Sequence, residues 1–207
     1  MRWRLLPNLQ LEGVSGLKCL LLGAGTLGCN VARNLMSWGV RHLTFLDNGK
    51  ICFSNPVRQW LYTFQASCDG RMNATTAAER VKEIFPDIQS RGIEMAIPMP
   101  GHFIDENAVD ECRKQVETME ALIDEHDVVF LLLDSREARW LPTVIATAKG
   151  KMCITSALGF DSYLCMRHGV HYHPDGEPVK KEEDEISLGC YFCNDVIAPA
   201  NVRFVFG

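Results

Sequence analysis

Three glycines and one aspartate carry the first chemistry in this sequence. Gly23-Ala24-Gly25-Thr26-Leu27-Gly28 reads G-x-G-x-x-G. In such a run the first glycine allows a tight turn, the second lets backbone approach a phosphate, and the third permits close helix packing. The helix that follows then presents unpaired N–H groups to anionic oxygens. Asp47 stands about 20 residues beyond Gly23, the spacing at which a carboxylate meets a ribose hydroxyl. Together these residues point to a nucleotide site. The pattern alone does not choose NAD over ATP, and a glycine run by itself also serves as a tight turn with no ligand.

Further candidates follow Asp47. Ser54-Asn55-Pro56-Val57-Arg58-Gln59 places a guanidinium fork suited to phosphate oxygens beside two amides that can bond sugar or phosphate. The polar loop Cys68-Asp69-Gly70-Arg71-Met72-Asn73 can face the same site. The apolar run Val128 to Leu133 ends at Asp134, and a carboxylate there is an oxygen ligand suited to Mg²⁺ beside substrate phosphates. The alternative is that Asp134 caps a helix starting near Glu137. Cys190-Tyr191-Phe192-Cys193 supplies two thiolates at the spacing of a zinc knuckle, but the chain has no second C-x-x-C. His168, His171 and His173 are then either completing ligands or surface histidines, and a redox dithiol is the other reading. Arg4, near the start of the chain, is either part of a solvated arm or a phosphate contact across a dimer.

Elements that would position these groups are legible from periodicity. Lys18 to Leu22 and His42 to Leu46 are short apolar runs read as strands, separated by a helical pattern over Cys29 to Trp38 that Gly39 stops. Ala74 to Phe85 reads as a helix closed by Pro86, and Gly92 to Met99 as a strand before the turn Pro98-Met99-Pro100-Gly101. Ile104 to His126 is long, charged and amphipathic, and Val128 to Leu133 is a strand apolar on both faces. A helix over Glu137 to Lys149 and strands over Met152 to Leu158 and Tyr163 to Arg167 complete the series. The alternation predicts an α/β fold, a doubly wound, mostly parallel, Rossmann-like sheet. The expected organisation is an arm over residues 1–17, a nucleotide domain over 18–200 and an atypical tail over 201–207.

Composition narrows the partners. A formal net charge of −5 over 207 residues gives no general attraction for nucleic acid or an acidic membrane surface. No apolar run approaches the length of a membrane span, and no signal-peptide pattern is present. Nine cysteines is an odd number, and Cys19, Cys29, Cys52, Cys112, Cys153 and Cys165 fall in apolar segments as small buried hydrophobes. A reducing, cytoplasmic setting is expected.

With G-A-G-T-L-G, the aspartate of L-D-N, S-N-P-V-R-Q, D-S-R-E-A-R-W and G-C-Y-F-C-N-D in this order, the chain resembles the activating enzymes for ubiquitin-like proteins. These have the ThiF/MoeB type of adenylation fold, and the resemblance is to their autophagy branch, from about Trp3 to Pro199. It implies ATP with Mg²⁺, and attack of a modifier's C-terminal glycine carboxylate on the α-phosphate to give an acyl-adenylate and pyrophosphate. A thioester on a catalytic cysteine, transfer to a conjugating enzyme, and a homodimer are implied with it. Residue by residue, it assigns Gly23, Gly25 and Gly28 to the phosphates, Asp47 to the ribose, Asn55, Arg58 and Gln59 to the phosphate side, and Asp134 to Mg²⁺. Where the family has a phosphate-binding lysine this chain has Asn73, so Arg71, the nearest cation, is expected to substitute. The family's catalytic cysteine lies downstream of G-C-Y-F-C-N-D and no cysteine follows Cys193, while Cys190 and Cys193 are half of a zinc site. The expectation is a C-terminally truncated adenylation domain. Its rivals are a non-catalytic nucleotide- or modifier-binding fragment and an NAD-dependent oxidoreductase.

Overall fold

The computed structural model describes residues 5, 6, 8–159, 161–170, 177 and 188–193. Its centre is β1 (Lys18–Leu22), whose side chains alternate between two separate cores. Cys19 and Leu21 pack on one side of the sheet, Leu20 and Leu22 on the other, all fully buried. Four consecutive buried apolar residues in a strand require both faces to be covered, and here both are.

The covering elements come from the intervening sequence. On one face lie α2 (Thr26–Ser37), through Cys29, Ala32 and Met36, and α4 (Asn73–Ile84), through Ala74, Ala77, Ala78 and Val81. Small residues dominate these stripes, which lets the helices sit close to the sheet. On the other face lie α5 (Val109–Glu125), through Met119, Leu122 and Ile123, and α6 (Glu137–Ala148), through Ile145 and Ala146. Burying each large aliphatic side chain contributes roughly 1.5–3 kcal/mol, so these layers supply most of the favourable term.

β2 (His42–Leu46) and β4 (Val128–Leu131) pair with β1 on either side, both parallel, with Leu22 opposite Leu46 and Leu131. β3 (Gln89–Ile93) extends the sheet beyond β2, and β5 (Met152–Leu158) extends it beyond β4. β6 (Tyr163–Arg167) adds antiparallel to β5, giving the order β3-β2-β1-β4-β5-β6. The chain therefore winds away from β1 in both directions, and the carboxyl ends of β1 and β4 diverge at a switch point. The expected α/β doubly wound sheet is the observed one.

Several boundaries differ from the sequence expectation. The third strand is Gln89–Ile93, not Gly92 to Met99. Met95 and Ile97 are apolar because they pack against the second core and line a cavity, outside the ladder. Gly92 sits where β3 meets α4, and a β-carbon there would come within 2.6 Å of the Thr75 Cα. The N-terminal arm contains a short helix, α1 (Leu11–Gly16), with no buried residue. The further short helix α3 (Phe64–Cys68) is capped by Thr63, whose hydroxyl accepts the Ala66 amide at 3.2 Å. Of the cysteines expected inside, Cys19, Cys29 and Cys153 are buried, Cys112 is half-buried, and Cys52 and Cys165 are exposed. Among the described residues no helix is long and apolar enough to cross a membrane.

Candidate nucleotide-binding site

A cavity of about 810 Å³ opens at the carboxyl ends of β1, β2, β4 and β5. Parallel strands deliver their loops to one edge, so residues far apart in sequence meet there. Gly23, Gly25, Asp47, Asn55, Arg58 and Gln59 all line it, and so do Asn73 and Asp134. These residues, from the loops after three different strands, thus line one cavity, whereas Gly28, also expected at the phosphates, does not line it.

The glycines divide by role. Gly23 has φ +108°, and a β-carbon on it would lie 2.6 Å from the Leu132 carbonyl oxygen. Its N–H donates to the Leu46 carbonyl at 2.9 Å, tying the ends of β1 and β2 together. Any side chain there is excluded by backbone conformation and by space. A β-carbon on Gly28 would collide with the Gly23 carbonyl, so Gly28 allows α2 to start against the turn. Gly25 is different: its nearest neighbour would be Gln59 Nε2 at 3.9 Å, which leaves open room toward the cavity. Gly25 precedes α2 with no side-chain cap, so the first N–H groups of that helix remain available to an anion.

Asp47 is fixed by the loop it serves. Its Oδ2 accepts the Ala24 N–H at 2.7 Å, while Oδ1 accepts the Gly49 N–H at 2.6 Å and Asn73 Nδ2 at 3.3 Å. A carboxylate has further lone pairs, so acceptor capacity remains for a hydroxyl in the cavity. Asn55 organises the next loop: its Oδ1 accepts the Cys52 N–H at 2.7 Å, and its carbonyl accepts the Arg58 and Gln59 amides. Arg58 Nη1 consequently reaches the Thr26 hydroxyl at the first residue of α2. Tyr62, buried beneath, has its hydroxyl 2.6 Å from the Ala24 carbonyl and 3.0 Å from that of Asn73, clamping the glycine turn to the start of α4. Desolvation pushes the Tyr62 phenol far up, so it stays neutral.

Two buried acceptors on the wall have no partner. Gln59 Oε1 and Asn73 Oδ1 are enclosed without a hydrogen bond, whereas buried polar groups in proteins generally have one. A ligand with hydroxyl or amino donors would satisfy them. Asp134 follows β4 on the same wall, and α6 is preceded by Arg136 with no side-chain cap, so Asp134 is not the helix cap.

The profile of the ThiF family matches residues 1–204.

The chain belongs to the ThiF family.

Among curated ThiF-type relatives, it is 51% identical to the ubiquitin-like modifier-activating enzyme ATG7 of Mus musculus and to that of Homo sapiens, over 97% of this chain and 32% of theirs. The same enzyme of Dictyostelium discoideum is 50% identical over 97% of this chain and 29% of its own length. The chain thus spans about a third of the relatives it matches. In fold it is similar to Escherichia coli MccB with AMPCPP and MccA, at TM-score 0.64 and 17% identity, covering 90% of this chain and 45% of that one. E. coli TcdA in complex with AMP gives TM-score 0.59 and 18% identity over 77% of this chain and 58% of that one. At such identity these likenesses speak to the fold alone.

Within this ThiF domain one expected site residue lies elsewhere. Arg71 does not line the cavity; its guanidinium pairs with Glu79 on the outer side of α4. The cations on the wall are Lys50, Arg58 and Arg139. Arg139 escaped the sequence reading. It is 1% exposed, and it donates to the Leu131 carbonyl at 2.9 Å, the Ser156 carbonyl at 3.0 Å and the Leu133 carbonyl. It therefore stitches the ends of β4 and β5 around the Asp134 loop. Burial lowers its pKa, with Tyr191 and Asp134 acting in the opposite sense. The signal in the sequence is a charge on a buried face: Arg139, Pro142, Thr143 and Ala146 are one stripe of α6.

Zinc finds no support among the described residues. Cys190 and Cys193 bring their Sγ atoms within 3.4 Å, and the Cys193 thiol is held low, first by a hydrogen bond from the Cys190 backbone and then by its thiol. His168 does not join them: it is 2% exposed with Nε2 2.8 Å from the Thr155 hydroxyl, and burial brings its pKa down to about 4. Among the described residues no group of three or more His, Cys, Asp or Glu side chains could hold a metal. Two thiols do not fit tetrahedral zinc. His171, His173 and Arg4 lie outside the described residues.

Proposed function

We propose that this chain binds Mg·ATP and adenylates the C-terminal carboxylate of an autophagy ubiquitin-like modifier. The reading rests on the convergence of Gly25, Asp47, Arg58 and Asp134 on one cavity at the switch point, in a ThiF chain half-identical to ATG7 proteins. That family membership favours ATP over NAD, whose shared glycine fingerprint does not discriminate.

Asp47 accepts from a ribose hydroxyl, while Gln59 Oε1 and Asn73 Oδ1 take donors of the nucleoside. Gly25, the first amides of α2 and Arg58 receive phosphate oxygens. Asp134 fits Mg²⁺ as an oxygen ligand, and Mg²⁺ when bound neutralises phosphate charge. The modifier carboxylate then forms a bond to the α-phosphorus as the bond to the bridging oxygen of pyrophosphate breaks. Little covalent work falls to the protein, so positioning and charge neutralisation carry the rate. Thioester formation and transfer to a conjugating enzyme are what the resemblance implies for the longer relatives. A cytoplasmic location and a symmetric homodimer are carried by that resemblance alone.

The test is modifier-dependent exchange of labelled pyrophosphate into ATP. Exchange that vanishes in Asp134→Ala supports the proposal. ATP binding without exchange marks a non-catalytic nucleotide-binding fragment, and absence of ATP binding overturns the reading.

A further inference from the structure

We propose that Lys50 supplies the second positive charge for the triphosphate, the part that the sequence pointed to Arg71 to play. This rests on the ATP reading above and specifies which side chains read the phosphate chain.

The starting point is the disposition of the three cations on the wall. Arg139 spends its Nη groups on three backbone carbonyls and is buried behind the surface. Arg58 reaches the Thr26 hydroxyl, at the N-terminus of α2. Lys50 makes no ion pair and no side-chain hydrogen bond among the described residues, and it is exposed on the cavity side. Arg71, two residues before Asn73, is committed to Glu79 and lines no part of the cavity.

Backbone geometry holds Lys50 in place. The Ile51 N–H donates to the Arg71 carbonyl at 2.9 Å and the Asn73 N–H to the Gly49 carbonyl at 2.9 Å. Between them Lys50 faces Met72 in an isolated antiparallel bridge. Gly49 makes that approach possible, since a β-carbon there would fall 2.8 Å from Asn73 Nδ2 and 3.0 Å from Asp47 Oδ1. The lysine is thereby anchored at the rim, three residues past the Asp47 carboxylate and beside Asn73.

The chemistry requires such a group. A triphosphate carries more charge than Arg58 alone can neutralise, and Asp47 and Asp134 add negative charge to the same wall. An ammonium on a flexible stem is a mobile point charge, able to follow phosphate oxygens as pyrophosphate departs. Arg71 would need to break its pair with Glu79 and turn inward.

The experiment is calorimetric titration of the 207-residue chain with Mg·ATP and, separately, with adenosine. Lys50→Gln is expected to weaken ATP about tenfold while leaving adenosine unchanged, and Lys50→Arg to recover most of the loss. The ATP gap between wild type and Lys50→Gln should shrink as salt rises, because an exposed charge is screened. Arg71→Gln should bind ATP as wild type does. Wild-type ATP affinity in Lys50→Gln, or a loss in Arg71→Gln, overturns the inference and leaves the ATP reading standing. A wild-type chain that binds neither ATP nor adenosine overturns both.

Discussion

The Asp47 carboxylate accepts the Ala24 amide at 2.7 Å, so the residue proposed to meet the sugar also shapes the glycine turn proposed to meet the phosphates. β2 ends at one and β1 leads into the other, and the Gly23 amide on the Leu46 carbonyl closes the same link through backbone. The proposed ligand contacts and the local fold share these residues, which sets how substitutions should behave.

Asp47→Ala removes the acceptor of two backbone amides. It should abolish detectable ATP binding and also lower stability, by roughly 1–3 kcal/mol, as read by urea denaturation. Unchanged stability with lost binding would mean that Asp47 serves the ligand only.

Gly23 and Gly25 should separate fold from function. Gly23→Ala meets the Leu132 carbonyl and an unfavourable φ, so a stability loss of about 2 kcal/mol or more is expected from thermal unfolding. Gly25→Ala has free space and should keep the melting temperature within a few degrees while weakening Mg·ATP about tenfold or more, because the added methyl occupies the phosphate approach.

Arg139→Met keeps the apolar stem but leaves the Leu131, Leu133 and Ser156 carbonyls without their donor. Leaving these buried acceptors unpaired should cost about 3 kcal/mol in denaturant unfolding. ATP affinity should fall as well, since the Asp134 loop loses its brace.

Acid should destabilise the chain through two buried histidines. His126 has Nδ1 2.6 Å from the Leu122 carbonyl and Nε2 2.7 Å from the Thr44 hydroxyl, and burial lowers its pKa. His168 is brought down to about 4 by burial and then by the charge of Arg139. Burial disfavours the charged form of both rings in the folded chain, and the unfolded chain titrates near 6.5. Below that pH the unfolded state binds more protons, so stability is full above about pH 6.5 and falls as pH drops toward 4. Urea midpoints at pH 7.5, 6 and 5 check this, and His168→Gln should flatten the fall.

The sequence made the central parallel strands legible because their residues are apolar on both faces, as Leu20 and Leu21 demonstrate by packing into opposite cores. Asp47 and Asp134 were legible as strand-end carboxylates for the same reason. β3 was misplaced because Met95 and Ile97 are apolar for the cavity and the second core, a cause that periodicity does not separate from a strand. Arg71 was expected at the phosphates and lies outside the cavity because its guanidinium pairs with Glu79, a tertiary fact that the sequence does not display. Arg139 was readable only as a charge on an apolar helical stripe, and Cys52 and Cys165 show that an apolar neighbourhood in sequence does not ensure burial.

The most direct measurement of the central claim is titration of the wild-type chain with Mg·ATP and with NADH under the same conditions. The account predicts saturable, one-site binding of Mg·ATP, lost in Asp47→Ala, and no binding of NADH. Tight NADH binding with no response to ATP would contradict it and return the glycine turn to a dinucleotide.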